Sequence, residues 1–291
     1  MVNALTVDVE DYFHVQAFAE VISPSEWSRY PLRVETNTYR LLEMFGSRAI
    51  RATFFILGWV AEHSPKLVGD IFKAGHEIGC HGYSHQVIGH SERQEFREDI
   101  RRAKSITEDI IGNPIKCYRA PSYSITSQTL WALDELQKAG FESDSSIFPV
   151  VHDHYGIPNA PRFPHYRSLS ESRRIVEFPP STLQVVGMNL PVAGGGYFRL
   201  LPYSITAWAI HHINEIESQP AMFYLHPWEI DPDQPRIAAA WRSRFRHYQN
   251  LHSTETKLNQ LLDGFSWASM SDVLARSLGS AISHAEVSHG L

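Results

Sequence analysis

The chain has 291 residues, 43% of them hydrophobic and 20% charged, with a formal net charge of −6. That length suits one large α/β domain or two small ones with a sizeable core. The mild acidity and the absence of any Lys/Arg run argue against a nucleic-acid binder. No apolar stretch approaches the ~20 residues of a membrane span, and acidic residues arrive too early for a secretory signal, so the expected location is the cytoplasm, with the periplasm as the alternative.

In chain order, short apolar runs alternate with helical patterns. Ala4–Val9 reads as a strand, Thr38–Phe45 as a helix stopped by Gly46, and Ala52–Leu57 (ATFFIL) as a second strand. Pro65–Ala74 reads as a helix ended by Gly75, and Glu77–Cys80 as a short strand. Ser91 and Gln94 suggest a capping box for a helix reaching about Ile111 and closed by Gly112. Strands are then expected at Cys117–Arg119, from Phe141, at Ile175–Phe178 and at Ala221–Leu225. Helices are expected at Ser127–Ala139, from about Tyr203 to Glu217, and over 237–262. Residues 149–170 and 187–202, rich in Pro, Gly and aromatics, read as ordered loops, and the small polar residues from Ser280 as a fraying tail. Cys80 and Cys117 form no CxxC and fit a reducing compartment. Alternating strands and helices predict a mostly parallel α/β sheet, better suited to one barrel-like fold than to two domains.

Parallel β/α folds bind ligands at the C-terminal ends of their strands, so the residues just beyond each strand are informative. The first strand runs into Asp8-Val9-Glu10-Asp11, three carboxylates in four positions, whose burial requires a positive partner. Asp8 and Glu10 share a face if the strand persists, although a lone D-x-E is more often a solvated strand end. The strand at 77–80 leads into His81-x3-His85. Two neutral imidazoles at this spacing plus one carboxylate make a common catalytic zinc set, whereas H-x3-H alone could equally be two surface histidines. Arg119, before Ala120-Pro121-Ser122, can pin a carboxylate in a fixed fork or stand exposed in a loop. His226, leaving an apolar strand beside Pro227 and Trp228, can be a general acid or simply pack on Trp228. Each signal is modest alone; their common placement at strand ends points to metal-assisted hydrolysis.

In this order, Thr6-Val7-Asp8-Val9-Glu10, His81-x3-His85, Arg119-Ala120-Pro121-Ser122, Asp144-Ser145-Ser146 and Leu225-His226-Pro227 resemble the motifs of the polysaccharide deacetylase (NodB-homology) family, carbohydrate esterase family four, over about residues 4–228. The segments VDVEDYFHV, DSSIFP, AGGGYFRLLP and HPWEIDPDQPR followed by RFRHYQNL resemble the branch associated with exosortase-type exopolysaccharide loci of Gram-negative bacteria. The resemblance implies a distorted (β/α) barrel of the NodB-homology type over residues 1–228, with a C-terminal extension, 229–291, packed on the same domain. It also implies hydrolysis of N-acetyl groups on amino sugars of a polysaccharide or its lipid-linked precursor. A small-molecule amide or a formylated lipid-linked sugar is the alternative substrate.

The resemblance assigns Asp8 as base. The family's adjacent Asp-Asp pair is replaced here by D-x-E followed by Asp11, so the metal carboxylate is Glu10 or Asp11, with Glu10 favoured by its shared face with Asp8. With His81 and His85 it would hold a divalent ion, zinc first, with cobalt, manganese or nickel as alternatives. Arg119 would hold Asp8 and keep it ionised, and His226 would protonate the leaving amine. A backbone N–H near Ser122 would stabilise the oxyanion, and Leu225 and Trp228 would form the wall for the acetyl methyl. The family's Asp-Trp is missing after Asp144, which leaves Asp144 a supporting place. The aromatic loops with Tyr155, Phe163, Tyr166 and Tyr197 favour a sugar. The glycines of Ala193–Arg199 either admit a glycan to the backbone or form a packed turn. The oligomeric state is not legible.

Overall fold

The spine of the fold is β1 (Val2–Val9), buried at every position after its first residue. The computed structural model describes residues 1–90, 92–153, 155–170 and 173–287. After β1 come α1 (Val34–Gly46), β2 (Thr53–Ile56), α2 (Gly58–His63), α3 (Pro65–Lys73), β3 (Glu77–Cys80), α4 (Arg93–Ile111), β4 (Cys117–Tyr118), α5 (Trp131–Lys138) and β5 (Ser143–Asp144). The second half adds β6 (His165–Ser168), β7 (Arg174–Glu177), β8 (Thr182–Val185), β9 (Met188–Pro191), α6 (Gly195–Leu200), α7 (Tyr203–His211) and β10 (Met222–Leu225). It closes with α8 (Trp241–Tyr248), α9 (Leu251–Gly264), β11 (Ser266–Ala268) and α10 (Met270–Val287).

The strands pair in the order β10-β1-β2-β3-β4-β5-β7-β6, and only β6 against β7 is antiparallel along this path. This is the expected mostly parallel α/β fold with strands in barrel order. Its strands alternate faces. Val7, Phe54, Phe223 and Leu225 point outward into the main core with helix residues such as Leu41, Leu67 and Ile100. Phe55, Cys117, Phe178 and Met222 point inward, where Met270 and Val273 of α10 close the lower end. Ala4 pairs with Met222 on one edge and with Ala268 on the other, so β11 completes the sheet on the β2 side of β1. Met270 N then donates to Thr53 Oγ1 at 2.7 Å.

Among the described residues no ladder joins β6 to β10. Irregular backbone fills that seam instead: Ser181 N donates to Met222 O at 3.3 Å, and Tyr224 N to Ala193 O at 2.9 Å. Gly194 bridges to Tyr224 at φ 138°, and a Cβ there would lie 1.9 Å from the Tyr224 carbonyl oxygen. A close backbone approach with φ in the glycine-favouring region explains the first glycine of the run. Gly194→Ala is therefore expected to cost about 2–5 kcal/mol, read as a lower denaturant midpoint; an unchanged midpoint would mean the seam does not hold the barrel.

The residues expected as loops carry β6, β9 and α6, because β6 and β9 lie at sheet edges with alternating exposure rather than as apolar runs. The helix from Tyr203 ends at His211 and continues as a π-turn over His212–Ile216. Ser91 lies outside the described residues; the reciprocal cap of α4 uses Glu92 and Glu95. The expected tail from Ser280 is helical to Val287, and residues 288–291 lie outside the described residues. No helix among the described residues is long and apolar enough to cross a membrane.

Candidate active site

Glu10 follows β1, and His81 and His85 follow β3, so parallel pairing through β2 brings all three to one end of the sheet. Their donor atoms lie within 4.8 Å of one another, and all three side chains are buried. His81 Nδ1 bonds the Arg119 carbonyl oxygen at 2.8 Å, which fixes the ring and leaves Nε2 as its free donor atom. Glu10 Oε2 stands 2.6 Å from His85 Nε2 yet makes no aligned hydrogen bond. Burial favours a neutral Glu10, but His85, then His226 and His81, outweigh it and hold the carboxyl well below its usual range. Burial lowers His81 to about 4, so its neutral, ligating form prevails. The residues present therefore fit a divalent ion. His85 itself sits at φ 51°, a strained position for a non-glycine residue.

Asp11, the alternative carboxylate, turns the other way. It accepts backbone N–H bonds from Tyr12 at 2.9 Å, Arg33 at 2.7 Å and Val34 at 2.9 Å, and so caps the start of α1. Burial is the main cause of its rise to about 6.

Arg119, wholly buried at the end of β4, donates Nη1 to Asp8 Oδ1 at 2.7 Å and to Thr6 Oγ1 at 2.8 Å. Its Nε and Nη2 reach Ser145 O and Oγ, at 3.2 and 2.9 Å. Asp8 Oδ1 is thereby pinned, and Oδ2 faces His226 Nε2 at 3.8 Å. Ser122 and Tyr123, just after Pro121, are both left-handed, at φ 54° and 53°, and line the cleft. Asp144 bonds Ser146 N and Oγ, and Ser146 Oγ in turn accepts Ala120 N at 2.7 Å. Asp144 thus braces the turn from outside the cleft.

His226 leaves β10 and bonds Glu229 Oε1 through Nδ1 at 2.7 Å. The other oxygen of Glu229 is held by Arg199 of α6. Burial disfavours a charged His226, but Glu229, Glu10 and Asp8 outweigh it and lift the ring to about 9. Trp228 stacks on His226 at 5.1 Å and donates Nε1 to Glu10 Oε1 at 3.3 Å. Leu225 does not form the expected wall. It is the register partner of Val7, so the strand's two-residue period sends its side chain into the outer core, while Tyr224 lines the cleft.

One cleft of about 470 Å³ contains Asp8, Glu10, His81, His85, His226 and Trp228. The polysaccharide deacetylase family model matches residues 27–142, and a domain family of unknown function (DUF3473) matches residues 145–275. Residues 27–142 are thus similar to the polysaccharide deacetylase family. A Bacillus cereus peptidoglycan-N-acetylglucosamine deacetylase is 33% identical over 99 residues, 34% of this chain and 36% of that protein. A Helicobacter pylori peptidoglycan deacetylase is 33% identical over 127 residues, 43% and 42% of the two chains. The matches thus span only about two fifths of these curated relatives. A solved Mycobacterium smegmatis protein described as a polysaccharide deacetylase shares the fold at TM-score 0.61 and 17% identity, covering 96% of this chain and 91% of its own. Puue allantoinase does so at 0.61 and 12%, covering 95% and 90%.

Three side chains around this cleft had no place in the motif reading. Glu229 follows His226 by three residues, a spacing visible in HPWE, but only a tight turn after the strand makes it a contact. Arg199 reaches Glu229 from a loop-flanked helix 30 positions away. Of the four aromatics expected to meet a sugar, Tyr155 lines the cleft and Phe163, Tyr166 and Tyr197 do not. Gly195 and Gly196 do line it, so the glycine run serves both the seam and the cleft.

The third is Glu177 on β7, the register partner of Asp144, both wholly buried. Burial first, then Asp144, raises Glu177 well above its usual range, so it keeps its proton while its Oε1 accepts Ser146 and Ile147 amides. A raised folded-state value adds stability that is full below the unfolded value, near pH 4.3, and is lost as pH climbs to the folded one, at about 1.4 kcal/mol per pH unit. Glu177→Gln mimics the neutral acid and escapes this loss. Its denaturant midpoint is expected to match that of the native chain near or below pH 4 and to exceed it near pH 8. Parallel pH curves for the two proteins would show that the pair is ionised.

Proposed function

We propose that the chain hydrolyses N-acetyl groups on amino sugars of a polysaccharide or its lipid-linked precursor, with a divalent ion held by Glu10, His81 and His85. The observation that carries this reading is the meeting, in one cleft, of a three-donor cluster, a pinned carboxylate and a carboxylate-backed imidazole. The names of the peptidoglycan deacetylase relatives support the substrate class. Zinc is the first candidate because two imidazoles and one carboxylate leave a position open. When bound, the ion supplies Lewis acidity and lowers the pKa of water toward ~7.

The chain's own groups do the rest. Asp8 Oδ2, the oxygen that Arg119 leaves free, takes a proton from the water that attacks the acetyl carbon. The Ser122 backbone N–H donates to the oxyanion; such a donor is worth about 3 kcal/mol. Glu229 keeps a proton on His226 Nδ1, so Nε2 faces the leaving nitrogen and protonates it as the C–N bond breaks. Acetate and a free amine result. Trp228 orients Glu10 and closes one side of the cleft. Residues 1–228 and the extension 229–291 act as one unit, since β11 pairs with β1, the strand that leads to Glu10, and α10 packs beneath it.

The test is acetate release from a panel of N-acetylated oligosaccharides by metal-loaded protein. A chelator is expected to abolish it and added divalent metal to restore it. His226→Ala is expected to keep its metal and to lose about 100-fold or more in turnover. Native turnover in that variant would remove the acid role. Release of formate from a formylated sugar, or hydrolysis of small amides alone, would reassign the substrate.

A further inference from the structure

We propose that the face of α8 turned away from the catalytic cleft is a second glycan subsite, one that takes a carboxylate-bearing sugar of the same chain. The ligand's being a glycan rests on the deacetylase reading; the site itself does not. Ser243 and Arg246 of α8, three residues apart, line the catalytic cleft. Trp241, Arg244, Phe245 and Tyr248 fall on another face at helical spacing and, with Arg236, line a shallow depression of about 330 Å³. Trp241 is 70% exposed and Phe245 57%, unusual for large apolar side chains side by side on a single helix.

The charge around this depression is one-sided. The chain as a whole carries −6, yet Arg236, Arg242, Arg244 and Arg246 crowd into residues 236–246. Among the described residues no carboxylate pairs with any of the four, whereas Arg199, Arg162 and Arg119 all have acidic partners. Arg236 instead lies over the Tyr248 ring at 4.2 Å.

The platform is firmly mounted. His247, on the buried side of α8, stacks on Trp228 at 4.2 Å, meets Phe18 at a tilt at 4.8 Å, and bonds Gln234. Tyr248 Oη accepts Ile237 N at 2.7 Å. Flat aromatic rings take the apolar face of a sugar, and guanidinium forks take a carboxylate. A concave site with both, one helix width from the cleft, fits an acidic sugar a few units along a chain whose acetylated unit is being processed.

Isothermal titration with two oligomers of equal length, tetragalacturonate and chitotetraose, tests this on the full chain and on His81→Ala, which reads binding without turnover. Tetragalacturonate is expected to bind about tenfold tighter or more in both proteins, with the preference shrinking at high salt. Arg244→Ala and Trp241→Ala are each expected to lose about tenfold for tetragalacturonate with unchanged Tm. Equal affinity for the two oligomers, or native binding of tetragalacturonate by both α8 variants, would overturn the proposal. So would binding to phosphatidylglycerol vesicles that tetragalacturonate fails to displace, which would assign the face to a membrane. Acetate release without the acidic preference removes the subsite alone; the acidic preference without acetate release from any glycan removes the deacetylase reading alone.

Discussion

Glu10→Ala is expected to abolish stoichiometric binding of a divalent ion and to cut acetate release by well over 100-fold, while Asp11→Ala keeps the ion. The two carboxylates are neighbours in the chain, but their oxygens do different work. Glu10 shares a 4.8 Å cluster with His81 and His85, and losses of even indirect supports to such a set cost about 10–100-fold. Asp11 satisfies three backbone N–H groups at the start of α1. Its removal leaves buried donors without an acceptor, at about 1–3 kcal/mol for each one not rescued by water. Metal content by elemental analysis, set beside denaturant midpoints, separates the two. Asp11→Ala lacking metal with Glu10→Ala retaining it would reverse the ligand assignment.

The second large effect is at Arg119. Arg119→Met is expected to lower stability by about 3–5 kcal/mol, because it strands the buried charge of Asp8 and leaves the Ser145 and Thr6 oxygens without their donor. The double variant Arg119→Met with Asp8→Asn is expected to regain a large part of that loss, since the uncompensated charge is gone. Unfolding of the four proteins of this cycle gives the coupling directly. Losses that simply add would show that the two groups do not depend on one another. Both Arg119 variants are expected to release no measurable acetate, because Asp8 is either unfixed or no longer a base.

Much of the site was readable because its chemistry sits at strand ends. Apolar runs mark β1, β3, β4 and β10, and the polar residues at or just beyond their C-terminal ends are Asp8 and Glu10, His81 and His85, Arg119, and His226. Parallel pairing then brings such ends to one side of the sheet whatever the register. The strand period favours Glu10 over Asp11 because Glu10 shares a face with Asp8, and of the two neighbours Glu10 is the one that lines the cleft. Leu225 shows the limit of the same argument. It is adjacent to His226 in sequence, but alternation sends it to the opposite face.

Other contacts between distant segments escaped the sequence. The Glu229–Arg199 pair behind His226, the Glu177–Asp144 pair behind the Arg119 turn, and the seam at Gly194 each join segments with no periodicity in common. The sequence by itself determined the mostly parallel α/β class and which residue types stand at the strand ends, because alternation and apolar runs are local properties. The tertiary structure alone decided which carboxylate oxygen meets which partner, because hydrogen-bond pairing, burial and desolvation depend on segments as much as 218 residues apart.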